Sequence, residues 1–407
     1  MNKRRSSGYS KNKKENSVSN FEVLPISIFH EIFFKISARD IMKCKLVCKS
    51  WYKLLRDPTF AVDFTKKSPF TTFIVSTIPK RKYERLYLLE FSENGDIVST
   101  LFKPKFPVWF EESPSFEVHS SCDGLLCLSV KIACIYNPVM GECIALPQCE
   151  KGFDVGGSWY ILGFCPSMNR YKVLMATFDS IPTRKIVESR VFTIGIDDKW
   201  RIVENCFGYF SDWLDILPLH GRIHWIPESY DETPGEIRTF DLAEEKAGQV
   251  LLHPPGLAIH WRTVRLKIFN NQMCLLDNSV PSQLTIWTMK EYGIVESWTK
   301  DILLGSWFPS SACSRLRDLS TSVVVFYNRN FSIASDLVLA AKSQSGDMLF
   351  QYWASGDEYL TFYNVKEKKC SEFGVFSVER VFAAVVAYEP SFLSLEDKFM
   401  VKGIQER

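Results

Sequence analysis

The chain has 407 residues, 46% of them hydrophobic, 14% aromatic and 24% charged, with a formal net charge of +2. That balance excludes bulk disorder, and the length suffices for more than one ordinary domain with a sizeable core. Residues 1–20 hold six Lys and Arg against one Glu, a charge of +5, which leaves −3 for the rest. The composition of the folded part gives no hint of a basic face, so no nucleic-acid partner is expected.

Residues 1–20 are Lys, Asn, Ser and Gly with almost no apolar content and read as a disordered basic tail. The runs KRR and KNKK within it fit a solvated tail or a nuclear localisation signal. No apolar signal core follows, and the longest apolar run, Val381 to Tyr388, is far too short to span a bilayer, so no membrane partner is expected. The twelve Cys read as free, mostly buried thiols in a reducing compartment, cytoplasmic and/or nuclear.

Residues 21–60 are predicted to be helical, within a unit bounded at 21–65. Leu24, Ile28, Ile32 and Ile36 recur every four positions, and Pro25 suits a first helical position, where no amide donor is needed. Ser37-x-x-Asp40 has capping-box spacing and starts a second helix. Val47, Cys48, Trp51, Leu54 and Leu55 mark one face of a helix ending before Pro58, with Lys45, Lys49 and Lys53 on the other side. So small and so apolar a helical segment needs a partner, either the rest of the chain or another protein.

From residue 66 to 395 the pattern changes to short β-branched and aromatic runs broken by turns, among them FTTFIVS, GLLCLSV, YKVLMATF, GRIHWI and QLTIWTM. Many short strands of this kind indicate a sandwich, barrel or propeller. A weak internal repeat favours the propeller. A turn residue at Gly124, Gly221, Asn271 and Gly346 opens a short apolar strand. An aromatic strand follows, ending at Asn137, Asp241 or Asn364, with Ile286-Trp287 in the remaining copy. Repeats of roughly 40–50 residues of strand are the mark of propeller blades. Residues 396–407 read as a C-terminal tail, and the connection marked by Pro58 and Pro69 separates two units that are expected to fold independently.

Catalytic signals are poor. No G-x-S-x-G elbow, Walker lysine loop, G-x-G-x-x-G or H-E-x-x-H is present. Cys44 with Cys48, His119 with Cys122 and Cys127, and His220 with His224 have spacings that a metal tolerates, but none has the closing ligands of a zinc site. A propeller hydrolase or lectin-like protein would need convergent carboxylates or a metal at the propeller mouth, and no such cluster is legible. Glu228–Glu236 (ESYDETPGE) is an acidic loop, either solvated or aimed at a basic target. Trp159, Trp213, Trp261 and Trp307 suit either a recognition surface or the filling between blades.

Residues 21–60 resemble an F-box, in Leu24-Pro25, Ile28, Ile32 and Ile36 followed by Val47-Cys48-Lys49-Ser50-Trp51. The remainder resembles the F-box-associated domain of the large plant family that includes the S-locus F-box proteins. CDGLLCL, YNPVMGECIALP, GFCPSMNRYKVL, HGRIHWI and IWTMKEYGIVESW carry that likeness. One departure is Ile36-Ser37 where the family commonly has Leu-Pro; the Ser cap starts the next helix without that Pro. The resemblance implies a mainly β fold, a small helical F-box followed by a kelch-like, propeller-like domain. It implies a non-catalytic substrate receptor of a ubiquitin ligase without a cofactor, its F-box on a Skp-type adaptor that leads to cullin and RING subunits. The C-terminal domain would hold an unidentified target protein. By matching position, Leu24, Pro25, Ile28, Ile32, Val47, Cys48 and Trp51 face the adaptor or shape that interface.

Because no closed ligand set is visible, chelation is expected to leave the melting temperature of the purified protein unchanged. Stoichiometric zinc, with destabilisation on its removal, would overturn that reading.

Overall fold

The structure is a computed structural model. It describes residues 25–57, 59–60, 63–64, 71–79, 85–91, 97–102, 116–129, 132–149, 157–179, 185–204, 207, 216–227, 236–257, 259, 263–269, 271–277, 279, 283–304, 337–342, 348–354, 357–364, 369–373, 380–388, 390–392 and 394–395. The N-terminal helices are α1 (Ile26–Phe34), α2 (Ala38–Cys44) and α3 (Lys49–Leu55). After them, strands dominate.

Among the described residues the strands form six four-stranded antiparallel sheets, here called blades one to six. Blade one contains β1 (Thr71–Pro79), β2 (Arg85–Phe91), β3 (Ile97–Phe102) and, from the other end of the chain, β24 (Arg380–Ala387). Blade two is β4 (Glu117–Cys122), β5 (Leu125–Ser129), β6 (Ala133–Asn137) and β7 (Glu142–Ala145). Blade three is β8 (Ser158–Cys165), β9 (Arg170–Phe178), β10 (Ile186–Thr193) and β11 (Arg201–Val203). Blade four is β12 (Leu217–Leu219), β13 (Arg222–Trp225), β14 (Arg238–Asp241) and β15 (Lys246–Ala247). Blade five is β16 (Val264–Phe269), β17 (Gln272–Asp277), β18 (Gln283–Met289) and β19 (Trp298–Leu304). Blade six is β20 (Leu337–Lys342), β21 (Met348–Ala354), β22 (Asp357–Asn364) and β23 (Lys369–Phe373).

The first strands β24, β4, β8, β12 and β16 are neighbours in turn, and β20 adjoins β24. This is a propeller with the first strand of each blade innermost. β24 pairs with β1 from Phe73 opposite Ala387 to Pro79 opposite Arg380, so the end of the chain completes the blade that its beginning started.

The middle strands have apolar residues on both faces because each blade is covered by two neighbours. On β5, Leu126 and Leu128 pack toward blade one while Leu125 and Cys127 pack toward blade three. On β9, Val173 and Met175 face blade two, and Leu174 and Ala176 face blade four. Two-sided burial is why such strands read as unbroken apolar runs in place of alternation.

The repeat markers fall at equivalent places. Asp123–Gly124 and His220–Gly221 are two-residue turns with positive φ between the first and second strands of blades two and four. Such turns match the twist of the strands they join. A Cβ on Gly221 would stand 2.9 Å from the Pro166 ring, so that position excludes side chains sterically as well. At the end of the third strand, Asn137 Oδ1 accepts from the amides of Val139 and Met140 at 3.0 and 3.1 Å. Asp241 Oδ1 does the same for Ala243 and Glu244 at 2.9 and 3.1 Å. The recurrent Asn/Asp is thus a turn former. Gly346 lies outside the described residues.

Polar ties join adjacent blades. The Tyr171 hydroxyl donates to Asp123 at 3.0 Å, between blades three and two. Lys172, almost fully buried, donates to the Leu242 carbonyl at 2.6 Å and to Glu245 at 2.7 Å, between blades three and four. Arg201 grips the same carboxylate, donating to Glu245 Oε1 at 2.7 Å. The hydrogen bond from Arg201, then that from Lys172, holds the Glu245 carboxyl below its ordinary value against the opposing effect of burial.

The helical segment does not stand apart. Phe29, Phe33, Phe34, Ala38, Ile41 and Leu55 are buried in one core with Leu86 and Leu88 of β2, Val118 of β4, Leu126 and Leu128 of β5, and Tyr136 of β6. Phe60 and Phe64, in the stretch expected to connect two independent units, are fully buried in that core; Pro58 and Pro69 are outside the described residues. The amide of Ala38, at the start of α2, donates to the buried Glu90 carboxylate of β2 at 2.7 Å. Lys45, placed by sequence on the outer side of the third helix, instead ends α2 and donates to the carbonyls of Val139 and Met140 at 3.2 and 2.9 Å. The partner that the apolar helices required is, for one face, the rest of the chain.

Replacing Lys172 by Met keeps the bulk and removes the charged donor. The expected loss is about 2 kcal/mol of unfolding free energy at pH 7, the usual worth of a hydrogen bond to a charged group. Glu245 has a depressed folded pKa, so its contribution is present above the unfolded carboxylate value and is lost as pH falls through the lower folded one. The difference between wild type and Lys172→Met in denaturant titrations should therefore shrink on acidification through that window.

Candidate functional site

α1 begins after Pro25, whose extended backbone (φ −57°, ψ 145°) makes it the residue before the first helical turn, one position earlier than the sequence pattern indicates. Within α1, Phe29, Phe33 and Phe34 turn inward, which leaves Ile28 and Ile32, one turn apart, on the solvent side with Glu31 and Lys35. α2 starts at Ser37, which accepts from the Asp40 amide at 3.2 Å, so the hydroxyl supplies the start signal without a proline. α3 is shorter than the apolar spacing implies. Cys48 caps it, its Sγ accepting from the Trp51 amide at 3.4 Å, and Val47 lies in the preceding turn.

The seven residues expected at an adaptor interface therefore separate by position. Ile28, Ile32 and Val47 are exposed at 43%, 39% and 64%, and Pro25 is exposed. Trp51 is half-buried, its ring 5.8 Å from Phe29 and 5.0 Å from Phe33, so it braces α3 against α1. Cys48 is half-buried and holds the start of α3. Leu24 lies outside the described residues. Two strongly exposed apolar residues escaped sequence reasoning, Ile26 at 66% and Leu46 at 80%. Leu46 adjoins Val47 in the same turn, and that adjacency was the available signal. Ile26, Ile28, Ile32, Leu46 and Val47 are thus large apolar side chains on the solvent side of a module whose other face is sunk in a core.

The remaining residues singled out by type have structural roles where they are described. His119 is buried in blade two with Nε2 2.6 Å from the Ser129 hydroxyl, and burial pushes its pKa down to about 3. His224 is buried and held down to about 4 by burial. Its Nδ1 donates to the Leu217 carbonyl at 3.3 Å, so Nε2 accepts from the Tyr292 hydroxyl at 2.6 Å. Trp159 fills the layer between blades three and four against Phe178. Trp213, Trp261, Trp307 and most of the ESYDETPGE segment are outside the described residues. Among the described residues no three His, Cys, Asp or Glu side chains are grouped to hold a metal ion.

The division between bracing and exposed residues is testable by denaturant unfolding of the full chain. Trp51→Ala should cost on the order of 2 kcal/mol, since it empties part of the helical core. Val47→Ala should change stability by less than about 0.5 kcal/mol.

Two protein-family models match the chain. Residues 21–62 match the F-box-like family, and residues 72–385 match the F-box associated beta propeller domain family. The F-box protein At3g07870 of Arabidopsis thaliana is 25% identical over 71% of this chain and 74% of its own length. The F-box protein CPR1 of the same plant is 25% identical over 68% and 72%. Among solved structures, a chain of the nidogen/laminin complex aligns over 79% of this chain and 99% of its own, at 9% identity and a TM-score of 0.41. With an F-box-like segment ahead of a propeller domain matched over most of its length, this chain belongs to the family of F-box proteins with an F-box associated β-propeller domain.

Proposed function

We propose that this chain is the substrate-recognition subunit of an SCF-type (Skp-cullin-F-box) E3 ubiquitin ligase. The helical module docks on a Skp-type adaptor and through it on cullin and RING subunits, and the propeller holds a target protein for ubiquitination and degradation. The observation that supports this most is the exposure of Ile26, Ile28, Ile32, Leu46 and Val47 on a module otherwise buried against the propeller. An apolar helical surface of this kind suits intermolecular helix packing. The chain then contributes no catalytic residue; it raises the effective concentration of a target lysine near the charged ubiquitin-conjugating enzyme. The proposed place of action is the cytoplasm and/or nucleus.

The test uses the intact chain, because removing the helices would bare Leu86, Leu88 and Tyr136 of the shared core. Ile28→Ala with Val47→Ala removes two exposed anchors and leaves that core untouched. Co-purification with a Skp-type adaptor should weaken by more than about tenfold, given that hot-spot truncations cost roughly 2 kcal/mol or more, with the melting temperature unchanged. In cells the double variant should capture the same proteins but leave them undegraded. Undiminished adaptor binding would overturn the assignment.

A further inference from the structure

We infer that the C-terminal residues Tyr388, Phe392, Ser394 and Leu395 form a latch that holds the helical module in one orientation on the propeller. They follow β24 directly, and β24 pairs with β1, the first strand after the helices, so ring closure itself delivers the latch to the module. Phe392 is buried with its ring 5.4 Å from Phe60 and 5.0 Å from Phe64, edge-on to both. Phe60 in turn stacks on Phe34 of α1, with centroids 5.5 Å apart. Tyr388 is buried in the same core.

The other end of the latch is anchored in the propeller. Ser394 Oγ donates to Glu142 Oε1 at 3.2 Å and the Leu395 amide donates to Glu142 Oε2 at 2.5 Å, so one carboxylate of β7 fixes two consecutive residues. The Leu395 side chain is fully buried in the apolar layer between blades two and three, with Ile135 and Val173. The segment therefore wedges an aromatic ring under the helices while its far end is tied down in a different layer. Directed hydrogen bonds at one end and aromatic packing at the other leave the module little freedom to swing.

The functional consequence rests on the receptor reading. A fixed module presents a bound protein at one distance and angle from the adaptor, whereas a tethered one would spread that geometry over many. Loosening the latch should therefore slow ubiquitin transfer while leaving adaptor affinity and target affinity intact.

The latch is tested without adaptor or target, so its failure is distinct from failure of the receptor reading. Amide hydrogen exchange is followed in the full chain and in two variants, Phe392→Ala and Glu142→Gln. Phe392→Ala should speed exchange in residues 26–55 by on the order of a hundredfold, as emptying an aromatic site does locally, while strands β8 to β19 keep their protection. Glu142→Gln, which leaves the aromatic core intact, should give the same pattern at about tenfold. Unchanged exchange in the helices of both variants would overturn the inference. So would an equal rise across the whole propeller, because the segment would then be closing the ring and not holding the module.

Discussion

The ladder between β24 and β1 is the interaction on which the rest of the structure depends. Without it blade one is a three-stranded sheet with an open edge, and the innermost positions beside β4 and β20 are vacant. An open edge of that kind is a template for pairing with another chain. The same ladder brings the two ends of the propeller together and so determines where the helices can rest. Leu86 and Leu88 of blade one, the helices and Phe392 share a core because the chain's first and last strands share a sheet.

Apolar layers between blades resist separation but are indifferent to small rotations, since hydrophobic burial has no direction. The polar ties supply direction. Asp123 with Tyr171, Glu245 with Lys172, and Tyr292 with His224 each join a turn residue of one blade to a strand residue of its neighbour. Glu245 shows how one position serves two purposes. Its φ of 54° completes the turn after β14, the place where blade two uses Gly141, and its side chain then reaches blade three.

Much of this was legible in the sequence for local reasons. Helical period four located α1, and the Ser37 cap located the start of α2. Gly124, Gly221 and Asn271 marked the first hairpins of blades two, four and five. Blade three filled a gap in the repeat without a marker of its own, because its positive-φ residue, Asn169, ends a longer turn over Pro166–Asn169. Blade one escaped because its strands come from opposite ends of the chain, which no local pattern can reveal. The sequence also placed Val47 within a helix, since apolar spacing alone cannot tell a helical face from a capped turn followed by a helix. The packing of Phe60 and Phe64 on Phe392 spans hundreds of residues, so Phe60 and Phe64 looked like ordinary connecting chain. On the exposed side of the helices, Ile28, Ile32 and Val47 were legible as apolar positions. Whether Trp51 braces or binds required its distances to Phe29 and Phe33.

The pairing of β24 with β1 also gives biosynthesis a delicate interval. β1 leaves the ribosome about 300 residues ahead of its partner, which at roughly 5–20 residues per second is on the order of 15–60 s of translation. Throughout that time the nascent chain carries an unpaired strand edge and helices whose inner face lacks Phe392. Premature termination anywhere before residue 380 would make that transient state permanent. Truncated products of this gene are therefore expected to be recognised by chaperones and cleared, even when five of the six blades have been synthesised in full.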